Sequence, residues 1–182
     1  MLERANNLTH PQYRWRLVLG VGLLCGVLHA ALLRRLDLGE WQPDIFSIAA
    51  LYFSLYANRQ GRYLPCLVLG LVRDFLSLGL LGSYAVLYSL LHKLASKARL
   101  RLDPDHFVNA AAMAFVGTFL VNFGYHAMLA LSGDGIGWSR AAMRCLSMAC
   151  ASAPLAPFVF VLANHGLGRL GVQRLAGGYV NV

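Results

Sequence analysis

Charge is what this sequence has least of. Only 13% of the 182 residues are charged, with 8 Asp and Glu against 16 Lys and Arg; a soluble domain carries roughly 25%. The deficit excludes an ordinary water-facing surface. The basic residues form no cluster beside aromatics, which argues against a nucleic-acid interface. The four cysteines, Cys25, Cys66, Cys145 and Cys150, contain no C-x-x-C pair. No His stands at zinc-finger spacing, so they read as small buried hydrophobes. His29, His92, His126 and His165 include no pair at i, i+4, so neither a metal nor a cofactor is expected. G-x-S-x-G, H-E-x-x-H and a P-loop are all missing. Asp37, Glu40, Asp44, Asp103 and Asp105 lie near helix ends, where capping accounts for acids. No catalytic residue is assigned, and an enzyme is not expected.

What the sequence has instead is apolar mass: 58% of its residues are hydrophobic, against about 45–50% in a soluble domain. The mass is divided into runs with cations between them. Such a chain reads as a single all-α integral membrane domain over residues 1–182, a bundle of about six transmembrane helices. The spans are placed at about 15–33, 43–57, 63–79, 82–95, 105–131 and 140–163. The first run follows Arg14 and Arg16 and resembles a leader. It ends in no small-x-small cleavage site and is followed by further runs, so it reads as a first span.

Local signals divide the runs. Trp41-Gln42-Pro43-Asp44 opens the second: Pro suits a first helical turn, and an acid there complements the helix dipole. Tyr63 to Leu94 is too long for one span, and Gly79 and Gly82 mark its turn. Asp103-Pro104-Asp105 carries a second helix-start pattern, an N-cap acid followed by Pro. Pro154 and Pro157 are expected to kink the sixth run.

Orientation follows from the cations. With the N-terminus inside, the inner segments hold Arg4, Arg14, Arg16, Arg59, Arg62, Lys93, Lys97, Arg99, Arg101, Arg169 and Arg174. The outer segments hold Arg34, Arg35, Arg140 and Arg144, so eleven against four predicts both termini in the cytoplasm. The Asn7-Leu8-Thr9 sequon would then face the wrong side for glycosylation.

The most informative segment is the third run. A mid-membrane Arg or Asp costs roughly 2.5–3.5 kcal/mol, while each Leu, Val or Phe returns about 0.3–0.6. Eleven Leu, Val or Phe between Tyr63 and Gly82 therefore only balance Arg73 and Asp74. Such a helix needs partners, and its charges are expected to face protein. Adjacent residues diverge by about 100° on a helix, so Arg73 and Asp74 need not satisfy each other. Gly70, one turn before Asp74, leaves room for another backbone. Two readings stand: a polar latch within the bundle or toward a partner, and a structural ion pair near a helix end. Gly22, Gly26 and Ala30 add a small-residue stripe for helix packing on the first helix.

Pro43-Asp44, an apolar helix, then Gly70-x-x-x-Asp74 and Gly82 resemble the rod shape-determining protein MreD family, most densely over Gln42 to Leu94. Arg73, directly before Asp74, is not a residue that this resemblance anticipates. The resemblance implies a non-enzymatic scaffold in the bacterial cytoplasmic membrane. It would organise lateral peptidoglycan synthesis with an MreC-type protein and, through it, MreB, RodA and a penicillin-binding transpeptidase. Membrane lipid is a further expected partner. Pro43, Asp44, Gly70, Arg73, Asp74 and Gly82 become the candidate partner-binding or latch residues. The implied fold is similar to the substrate-binding subunits of energy-coupling-factor transporters. That likeness brings an alternative reading, a vitamin-type capture subunit.

Overall fold

A computed structural model describes residues 15–28, 41–56, 63–77, 80–133 and 137–169. These form six helices in chain order: α1 (Trp15–Leu28), α2 (Ile45–Tyr56), α3 (Tyr63–Ser77), α4 (Ser83–Ala98), α5 (Phe107–Leu131) and α6 (Trp138–Arg169). No strand occurs among the described residues, whose fold is all-α. Ala30, the turn glycine Gly79, the sequon at residues 7–9 and the cations at 34, 35, 59 and 62 lie outside the described residues.

The helices differ in kind. Phe107–Leu131 and Trp138–His165 are long and apolar enough to cross a membrane, at 25 and 28 residues. Helix α2 has only 12 residues, about 18 Å at 1.5 Å per residue, and every residue from Phe46 to Leu55 is buried. It touches all five other helices. A helix that is apolar all round belongs in a core, and α2 is the axis on which the others pack. Tyr52 stacks on Tyr56, and Phe160 packs against both at steeper angles, around its C-terminal half. Tyr52 donates a hydrogen bond to Asn164 of α6 at 3.0 Å.

Two local expectations need correction. Helix α5 begins at Phe107 rather than at Asp103-Pro104-Asp105. The Asp103 carboxylate turns back to accept the Asp105 N–H at 3.1 Å, and the Asn109 side chain donates to the Asp103 carbonyl at 3.0 Å. The acid that would have capped the helix thus closes a turn ahead of it. Pro43 and Asp44, for their part, stand just before α2 rather than within its first turn. Helix α6 runs on through Pro154 and Pro157 as one continuous helix.

Candidate functional site

The centre of the bundle is charged. Asp44, 2% exposed, precedes α2 and caps it, accepting the Ser47 N–H at 3.1 Å and the Ser47 hydroxyl at 2.7 Å. Its own N–H donates to Ser152 Oγ on α6 at 2.8 Å. From α3, Arg73 Nη1 reaches both carboxylate oxygens, at 2.8 and 2.7 Å. Asn122 of α5 donates to Asp44 Oδ2 at 2.8 Å and spends its other amide hydrogen on the Thr118 carbonyl at 2.9 Å. Tyr88 of α4 accepts from Arg73. Five helices therefore meet on one ion pair, the only one among the described residues.

Aromatic faces complete the enclosure. The guanidinium lies 3.9 Å from the Tyr84 ring centroid, a cation–π contact strengthened by the burial of both side chains. Tyr84 in turn stacks on Tyr125 of α5 at 4.5 Å, tilted by 15°. Removing two charges from water costs several kcal/mol per ion, and only dense pairing offsets it. With four donor groups on its two oxygens and almost no exposure, Asp44 lacks the vacancy that a general base needs. The arrangement acts as a clamp.

Asp74, the neighbour of Arg73, points elsewhere. It reaches forward across the α3–α4 turn and accepts the backbone N–H groups of Gly82, Tyr84 and Ala85 at 3.1, 3.1 and 3.2 Å. A helix start leaves such N–H groups orphaned, and a carboxylate there also complements the dipole. Gly82 adopts φ +90°, the left-handed region that glycine enters without strain, and so turns the chain into α4. Gly70 sits against the Ala85 backbone: a Cβ there would lie 2.6 Å from the Ala85 nitrogen and 2.7 Å from the Tyr84 oxygen. Helices α3 and α4 touch backbone to backbone at this point.

Of the six candidate latch residues, Asp44 and Arg73 form the ion pair, while Gly70, Asp74 and Gly82 build the α3–α4 junction beside it. Pro43 precedes Asp44 outside any helix. Gly22 and Gly26 on α1 face α3: a Cβ at Gly22 would meet Leu69 at 3.4 Å, and one at Gly26 would meet Leu76 at 2.8 Å. Sequence reasoning missed Ser47, Tyr84, Tyr88, Asn122 and Ser152. It placed Asp44 and Arg73 among the latch residues without pairing them with each other. Asn122 carried a usable signal, being an amide in the middle of a 25-residue apolar helix.

A family model described as rod shape-determining protein MreD matches residues 12–165. Neither a curated protein nor a solved structure matches the chain.

Proposed function

The chain belongs to the rod shape-determining protein MreD family, and from that premise we propose that it is a non-enzymatic scaffold of the bacterial cell-elongation machinery. Membership ties the protein to rod shape determination in a family of membrane proteins. In the reading proposed here, all six helices lie in the cytoplasmic membrane with both termini in the cytoplasm. The bundle offers an outer face to the transmembrane helix of an MreC-type protein. Through that protein it joins MreB, RodA and a penicillin-binding transpeptidase in lateral peptidoglycan synthesis.

The observation that carries this reading is the saturated ion pair. Its polar groups are consumed by one another inside the bundle, and the exterior offers mainly apolar side chains. Phe75, Leu81 and Leu23 are 72%, 75% and 62% exposed. A rigid body with an apolar outer wall supports a role in helix-to-helix assembly, where packing rather than chemistry is the output. Affinity purification in mild detergent, read by mass spectrometry, tests the proposal. It should recover an anchored coiled-coil protein of the MreC type, and Asp74→Ala should weaken that recovery. Recovery of a tightly held vitamin-sized molecule with no such protein would instead favour a transport subunit.

A further inference from the structure

The far end of α4 bears a feature that the scaffold reading does not use. Val86, Leu90 and Leu94 form an outward stripe at 57%, 52% and 44% exposure. Beside and beyond Leu94 the stripe becomes basic, with Lys93, Lys97 and Arg101 all exposed. The chain continues past α4 in tight turns, with Arg101 N–H donating to the Ala98 carbonyl at 3.0 Å and Leu102 N–H to the same oxygen at 2.9 Å. Leu100, between two arginines, is 82% exposed, and Val108 is 74% exposed.

The neighbouring charges are already engaged. Arg99 donates to the Leu55 carbonyl at the end of α2. The Asp105 carboxylate accepts the Tyr56 hydroxyl at 3.0 Å, and Asp103 closes its own turn. Lys93, Lys97 and Arg101 form no ion pair among the described residues. Three unpaired cations therefore lie within seven residues of a protruding Leu. Water suits the cations but not the leucine, while the boundary between headgroups and acyl chains satisfies both.

We propose that the α4–α5 connection is a binding site for anionic phospholipid: Lys93, Lys97 and Arg101 hold the phosphodiester headgroup, and Leu100 enters the acyl boundary. This rests on the membrane reading above. Because Arg99 and Tyr56 fasten the same connection to the C-terminal end of α2, the bound lipid braces the central helix.

The test uses the full chain reconstituted in phosphatidylcholine vesicles, probed with spin-labelled phosphatidylglycerol or phosphatidylcholine. The motionally restricted signal should favour phosphatidylglycerol. Each single Gln substitution at the three cations should lower that preference by up to about fivefold, and the triple variant should approach equality. Arg140→Gln/Arg144→Gln, whose cations lie at the start of α6, should leave it unchanged. Leu100→Ser should shorten lipid residence. Equal restriction of both probes by the wild-type protein, or an unaltered preference in the triple variant, overturns the site. An acidic soluble protein captured by these cations while the vesicles show no preference does so as well. Resistance to carbonate extraction is scored separately: its loss would sink the membrane reading, whereas retention without lipid preference sinks only this one.

Discussion

Neutralising both members of the central pair should cost less than the sum of the two single changes. Asp44→Asn leaves a buried guanidinium without its counter-ion, and Arg73→Met leaves a buried carboxylate. Breaking a buried pair from one side costs roughly 3–5 kcal/mol. Both variants should fall toward the lower figure. In Asp44→Asn the Tyr84 face, 3.9 Å from the guanidinium, still carries part of the charge, a contact of about 2 kcal/mol when desolvated. In Arg73→Met, Asp44 keeps the Ser47 N–H, the Ser47 hydroxyl and the Asn122 amide. The double variant leaves no unpaired charge, so its loss should fall short of the sum of the singles by up to about 3 kcal/mol. For a chain of this length 1 kcal/mol moves a melting midpoint by roughly 2–4 °C. Thermal scans of the purified protein in detergent should then show single-variant drops toward the lower end of roughly 6–20 °C. The double variant should lie roughly 6–12 °C above the additive expectation. Strict additivity would refute the claim that these two charges stabilise each other.

The same preparations serve for further predictions. Gly70→Ala should abolish stable folding because its methyl meets the Ala85 backbone, whereas Gly22→Ala, in ordinary contact with Leu69, should stay within about 0.5 kcal/mol of the parent; equal thermal losses would contradict this. Asp74→Ala orphans three N–H groups at the start of α4 at about 1–3 kcal/mol for each buried donor left unmade, and Asp74→Asn should recover part of the loss. Hydrogen exchange at Tyr84 and Ala85 should accelerate in that order of severity; unchanged exchange would remove Asp74 from its capping role. Thr118 is 1% exposed, and its hydroxyl finds no hydrogen-bond partner among the described residues. Thr118→Val should therefore be neutral or stabilising by about 1 kcal/mol, and a clear fall in melting temperature would mean that the hydroxyl is satisfied after all.

Much of the fold is written locally. Apolar runs broken by cations and glycines place the helices, because a helix inside an apolar medium satisfies its backbone within its own segment. The α3–α4 junction is likewise local: Gly70, Asp74 and Gly82 lie within thirteen consecutive residues of one another. The ion pair is not local. Asp44 and Arg73 are 29 positions apart, and Asn122 stands 49 beyond Arg73. No periodicity rule links positions on separate helices. Asp44 is also satisfied as a cap, so nothing in its immediate sequence signals a further partner. The start of α5 shows the opposite failure, a complete capping pattern diverted by a competing side chain-to-backbone turn.

The ion pair also bears on biogenesis. A ribosome delivers Asp44 first, then Arg73, then Tyr88 15 positions after it and Asn122 later still. In the proposed membrane reading, the marginal third helix thus meets its counter-ion on the segment already made, and α2 and α3 can enter the bilayer together with Arg73 already neutralised by Asp44. A nascent chain arrested before α5 should already shield Cys66 on α3 from water-soluble thiol reagents, and Asp44→Asn should expose it. Protection that is indifferent to Asp44 would mean that α3 inserts without its partner.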